Sequence, residues 1–169
     1  MKRWIALLLS ALLSLSLTAC GDKEPPPLPE EGFACQTTVQ YKEMTVEGKL
    51  TCTKDGKLTL ACTLPKSLYG VTLGYDDTGM TMGLGKMQMA IPAESVPQSA
   101  LIGCLAGVLT ARHSGGELTD EGYVYAGQIE GVDYTLVCDP VTGLPVSLSV
   151  PSEELTAVFT DGQTLSQTE

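Results

Sequence analysis

The sequence predicts an α+β, mainly β fold: a curved antiparallel sheet, an incomplete barrel of roughly nine short strands, wrapped around one main helix near residues 95–112. Three observations predict it. Apolar residues recur with period two through most of the chain, the mark of strands with one buried and one wet face. Turn chemistry punctuates these runs at short intervals, as in Lys54-Asp55-Gly56, Asp76-Asp77-Thr78-Gly79 and Pro140-Val141-Thr142-Gly143, and tight turns join antiparallel neighbours. One stretch alone changes to helical spacing, with Leu101, Cys104, Leu105, Val108 and Leu109 on a broad face.

Taken in order, Phe33, Cys35, Thr37, Val39 and Tyr41 share one face of the first strand. Met44, Val46, Gly48, Leu50 and Cys52 share a face of the second, with the turn placed at Glu43-Met44. Lys54-Asp55-Gly56 reads as a three-residue hairpin loop with Gly at the left-handed position. That loop sets Cys52 against Leu58 and Leu50 against Leu60, a register that keeps every apolar residue on one side. Short strands follow over 71–75, 79–84 and 86–91. Ser95 can cap the helix and Pro97 is tolerated in its first turn. Small Gly103, Ala106 and Gly107 allow either close packing on the sheet or a void, and Ser114-Gly115-Gly116 ends the segment. Strands resume with Tyr123 and Tyr125, then Tyr134, Leu136 and Cys138, then Leu144 to Val150 and Leu155 to Phe159, before a polar tail expected to fray.

The N-terminus supplies an address. Met1-Lys2-Arg3 opens a run that is apolar from Trp4 to Leu17 and closes on Leu17-Thr18-Ala19-Cys20, the pattern of a secretory signal peptide. The closing residues resemble the bacterial lipobox, which implies that the Cys20 thiol receives a diacylglycerol and becomes the first residue of the mature chain. The sixteen residues between Arg3 and Cys20 fall short of the roughly 20 that span a bilayer. The expected organisation is a signal peptide over 1–19, a lipidated Cys and acidic Pro-rich tether over 20–31, one domain over 32–160 and a polar tail over 161–169. Three consecutive prolines favour an extended tether. The expected location is the extracytoplasmic face of the cell membrane, reached through the lipid anchor. The net charge of −10 argues against nucleic acid and against headgroup-driven binding to anionic lipid.

Few residues point to chemistry. Met80, Met82, Met87 and Met89 form two Met-x-Met pairs at strand spacing. Flexible thioethers suit an adaptable apolar cavity; ordinary core filling and soft-metal capture, of which Cu(I) is the example, are the other readings. Met80, Met82, Met87 and Met89, with Leu101, Leu105 and Val108 from the helix, are the candidate cavity lining. With Cys20 assigned to the anchor, five of the six cysteines remain, so the remaining thiols cannot all pair within one chain. Under the Glu43-Met44 turn Cys35 falls opposite Cys52, a candidate disulfide; the other reading is five small buried hydrophobes. His113, the one histidine, lies where a cation suits a helix C-terminus and reads as a capping or surface residue. No nucleophile elbow, phosphate loop, calcium loop or zinc-ligand spacing occurs, so no catalytic residue, cofactor or metal site is assigned and a non-enzymatic protein is expected.

The corner Leu64-Pro65-Lys66-Ser67-Leu68-Tyr69-Gly70, the passage into Ile91-Pro92, the helix, and Asp139-Pro140-Val141-Thr142-Gly143-Leu144-Pro145 follow one another over about residues 33 to 160. That order resembles the Lol-type lipoprotein carriers (the LolA/LolB-like superfamily) and small Gram-positive, clostridial-type lipoproteins. The resemblance implies a half-barrel closed by helices around a hydrophobic lipid cavity. The chain departs from it in having one good helix and no match for the carriers' cavity arginine. The expected activity is therefore binding of a lipid or other apolar ligand by a membrane-anchored lipoprotein. The alternatives are a surface interaction module with a filled core, and Met-based copper binding; no protein partner is named by the sequence.

Overall fold

The structure, a computed structural model, describes residues 28–96, 100–129 and 131–165. The signal peptide, the lipobox Leu17, Thr18, Ala19 and Cys20, most of the tether, Pro97 and the last four residues lie outside the described residues.

Eleven strands form one antiparallel sheet: β1 (Gly32–Tyr41), β2 (Met44–Thr53), β3 (Leu58–Leu64), β4 (Val71–Asp76), β5 (Gly79–Leu84), β6 (Met87–Pro92), β7 (Glu117–Thr119), β8 (Gly122–Ile129), β9 (Val132–Cys138), β10 (Pro145–Val150) and β11 (Leu155–Thr164). Their spatial order is β6-β5-β4-β3-β2-β1-β11-β10-β9-β8-β7. The sheet is open rather than a closed barrel: β6 and β7 are its two edges, and β1 meets β11 in the middle. Helix α1 (Leu101–Leu109) is the one α-helix among the described residues, and its backbone lies closest to β4.

Pairing carries one apolar face across the sheet, because partners in an antiparallel ladder point the same way. Leu50 pairs with Leu60 and Leu60 with Leu73. On the other side Val39 pairs with Ala157, Ala157 with Leu148 and Leu148 with Leu136. Except for Leu73, which is partly buried and packs against them, these side chains form one buried cluster with Ile102 and Leu105 of α1. Thr37 is the buried polar member of the face, and its hydroxyl donates to the Val158 carbonyl at 3.3 Å.

The β2–β3 hairpin has the expected register: Cys52 pairs with Leu58 and Leu50 with Leu60. Gly56 holds φ +78°, and its N–H donates to Thr53 O at 2.9 Å. Four expectations are corrected. The strands number eleven, not roughly nine, since Glu117–Thr119 adds a short exposed edge with no periodicity to announce it. β11 runs on to Thr164, pairing with Phe33 inside the stretch expected as a tail. The helix is shorter than 95–112: Ser95 belongs to a 3-10 turn, Ala93–Ser95, and the cap of α1 is Ala100, which makes no side-chain capping bond. The first turn is Lys42-Glu43, with Lys42 at φ +53° and Tyr41 paired to Met44. That shift of two residues keeps every face but moves every partner. Cys35 falls opposite Leu50 and Cys52 opposite Phe33.

Candidate functional site

Helix α1 crosses the concave face and does not fill it. A hollow of about 420 Å³ opens beside it. The helix contributes Gly103, Cys104, Gly107 and Val108; the sheet contributes Tyr75 from β4, Ile129 from β8, Val132 and Tyr134 from β9, and Val150 from β10. Ala93, Glu94 and Val96 stand on the remaining side, and Glu94 is the one charged residue on the wall among the described residues. Two helix positions on that side, Gly103 and Gly107, are glycine. A Cβ built on Gly107 would reach only ordinary contact with the Ile129 methyl, at 3.6 Å, so a longer side chain there would extend into the empty space. The volume falls within the range of small-molecule sites, and such sites are mainly apolar with a few polar groups.

A second hollow, about 570 Å³, lies at the C-terminal end of α1, between the chain segment Leu28 to Glu30, the β2–β3 loop and residues Leu109 to His113. His113 stands between the two. Its Nε2 lies 2.9 Å from Val108 O and its Nδ1 2.9 Å from the Tyr134 hydroxyl. A carbonyl can only accept, so Nε2 carries the proton and donates, while Nδ1 of the neutral ring accepts from Tyr134. His113 thus closes the helix end and ties it to β9, with Tyr125 packed on its ring at 5.3 Å. Burial pushes the His113 pKa below its ordinary value near 6.5, and the bond to Val108 O acts in the opposite direction.

The sequence-assigned cavity residues divide into three groups. Val108 lines the 420 Å³ hollow. Leu101 and Leu105 are buried in the core. Met80, Met82, Met87 and Met89 lie together on the inner face of β5 and β6, Met82 directly opposite Met89. They stand beyond the helix: Met80 packs against the core, while Met87 and Met89 are 69% and 53% exposed. Sequence reasoning missed Tyr75, Ile129, Val132, Tyr134 and Val150. Their period-two alternation marked their face but not their distance from a helix that leaves a gap.

Cys35, Cys52, Cys62 and Cys138 are free and buried, and Cys104 is buried as well. Burial pushes the Cys35 and Cys138 thiols up to about 12 and the Cys52 thiol to about 11. Diagonal neighbours on adjacent strands stand about 7–8 Å apart, beyond the reach of an unstrained disulfide, so the corrected register separates Cys35 from Cys52. No cluster of three or more His, Cys, Asp or Glu suited to a metal occurs among the described residues. Nor is any helix among them long and apolar enough to cross a membrane.

No family model and no curated protein matches the chain. Among solved structures, an uncharacterised conserved protein from Thermus thermophilus shares the fold, with a TM-score of 0.52, 11% identity and coverage of 83% of this chain and 82% of that one. A LolA superfamily protein from Nitrosomonas europaea aligns with a TM-score of 0.44 and 10% identity over 83% of this chain and 89% of that one. A structure of the CwlD amidase from Clostridioides difficile in complex with the GerS lipoprotein aligns at 0.44 and 14% identity, covering 100% and 95%.

Proposed function

We propose that this chain is a non-enzymatic extracytoplasmic lipoprotein, anchored through Cys20, whose LolA-like domain binds a lipid or other apolar ligand beside helix α1. The observation that carries the ligand reading is the 420 Å³ hollow bounded by Gly103 and Gly107 on the helix and by apolar residues and two tyrosines on the sheet. A domain built only to be solid would gain stability by filling that space. The open, curved antiparallel sheet with one helix on its concave side agrees with the carrier resemblance. The lipobox sequence Leu17 to Cys20 supports the anchor.

Two measurements test it. Native mass spectrometry of the full chain, extracted from membranes in mild detergent, should show an apolar adduct on the wild type that Gly107→Leu loses. No adduct, or an equal adduct on both, defeats the ligand reading. Incorporation of labelled fatty acid that disappears in Cys20→Ser supports the anchor, and its absence in the wild type rejects it. A second reading, a surface module acting through protein contacts, is favoured by the exposed apolar residues of β5 and β6. The copper alternative rests on the Met82–Met89 pair and is rejected if calorimetry detects no Cu(I) binding.

A further inference from the structure

We propose that edge strand β6 pairs with β6 of a second copy, joining two sheets into one across a two-fold axis at Met89. This inference does not depend on the ligand reading. Edge strands expose unpaired backbone groups, and soluble chains usually blunt them with brevity, charge or proline. β7 follows that rule, being three residues long and carrying Glu117, with Asp120 and Glu121 in its turn. β6 does not. Met87, Gln88, Met89, Ala90 and Ile91 carry no charge, proline enters only at Pro92, and every residue but Ile91 is exposed.

The backbone of β6 suits a copy of itself. The β5–β6 turn holds two residues, Gly85 and Lys86, closed by the Leu84–Met87 pair. In such a hairpin the closing pair is hydrogen-bonded. Strand alternation then points the N–H and C=O of Met87, Met89 and Ile91 into β5, and those of Gln88 and Ala90 outward. With Met89 on the axis, each Gln88 meets the second copy's Ala90, and both backbone groups of each residue find a partner. The same register sets Met89 against Met89 and Met87 against Ile91. Leu84, 45% exposed, and Met82 extend this apolar face inward on each copy. Lys86 falls beside the second copy's Pro92, two residues from its Glu94, so opposite charges flank both ends. Between Val71 and Pro92 only Asp76, Asp77 and Lys86 are charged, so the strongly acidic chain places little of its repulsion at this contact. The two-fold operation closes the assembly at a dimer.

The test uses the full chain in membranes and in detergent. Met89→Cys should crosslink to twice the monomer mass under mild oxidation, because facing residues of a non-hydrogen-bonded pair stand about 4.5 Å apart. Gln88→Cys, whose own mate lies farther away, should crosslink far less. Ala90→Pro removes an outward N–H, a position where an edge strand accepts proline. It should keep the circular dichroism of the wild type and yield the monomer by light scattering, and Met89→Lys should do the same through the facing charges. A wild type that stays monomeric up to about 100 μM overturns the proposal. So do equal crosslinking of the two cysteine variants, a Met89→Cys adduct to a different protein only, or an unchanged dimer in Ala90→Pro and Met89→Lys.

Discussion

One sheet in this molecule makes two different surfaces. Away from the 420 Å³ hollow, the inner face from β3 through β1 to β9 is sealed: Leu50, Leu58, Leu60, Leu136 and Leu155 are fully buried. On β5 and β6 the same face, with the same alternation, lies open, and Leu84, Met87 and Met89 are 45%, 69% and 53% exposed. Geometry accounts for the difference. Helix α1 has nine residues and is about 14 Å long. Ten strand spacings amount to about 48 Å of sheet measured flat. The helix is thus much shorter than the sheet is wide, and it leaves Leu84, Met87 and Met89 of the β5–β6 wing uncovered. A residue's pattern therefore names its face, while its distance from the helix decides whether that face is core or surface.

The largest effect expected from this contrast is on stability. Leu60→Ala empties a site with no exposure in the sealed half and should destabilise the domain by about 2–5 kcal/mol. Met87→Ala removes a longer side chain from the wing and should change the monomer's stability by about 0.5 kcal/mol or less. Chemical denaturation of both variants measures the difference. Equal losses would mean that the wing is packed as core.

Next in size is thiol protection. Cys35, Cys62 and Cys138 lie in the sealed half, on β1, β3 and β9, while Cys52 and Cys104 are buried at the walls of the two hollows. Raising a thiol from an ordinary 9.0 to about 12, as burial does for Cys35 and Cys138, lowers its thiolate fraction at pH 8 on the order of 10³-fold. Alkylation of Cys35 and Cys138 should therefore be slow in the native protein and complete after unfolding. A cysteine placed at Met87 should label at once. Rapid native labelling of Cys35 would show that the sealed half opens.

How far this division could be read in advance depended on the range of the interactions behind it. The β2–β3 register was legible because Asp55-Gly56 fixes a loop within a few residues. The inner face was legible because alternation is a local property. The first hairpin misled by two residues because the left-handed Lys42 carries no sequence mark as clear as a glycine. β7 and the end of β11 were missed because Leu118, Gln163 and Thr164 owe their strand conformation to partners on β8 and β1, and not to any pattern of their own. The methionines share the inner face, where Met80 packs against the core while Met87 and Met89 lie exposed, a split that alternation alone does not foretell. Tyr134 was on the page as one more alternating aromatic, and its bond to His113, 21 residues away, is a tertiary fact. Gly103 and Gly107 were the one local hint of the hollow, since small residues can mean either contact or void.

The smallest effect concerns the seam that holds the helix end to the sheet. His113 is held neutral, donating to Val108 O and accepting from Tyr134, and burial lowers its pKa from about 6.5. Below 6.5 the unfolded chain takes up a proton that the folded chain resists. The contribution of this group is therefore fully present above pH 6.5 and is lost as the pH falls from there through the folded-state value. The groups facing the ring are Tyr125 and Tyr134, both phenols with pKa values raised by burial, so neither titrates in that window. His113→Gln offers an amide in place of the ring and removes the titration. Melting temperatures measured between pH 7.5 and 5 should fall less steeply in the variant than in the wild type, after the carboxylate contribution common to both is subtracted. Parallel curves would show that His113 gains its proton without leaving either partner, and that the helix end is held by the packing of Val108 and Leu109 instead.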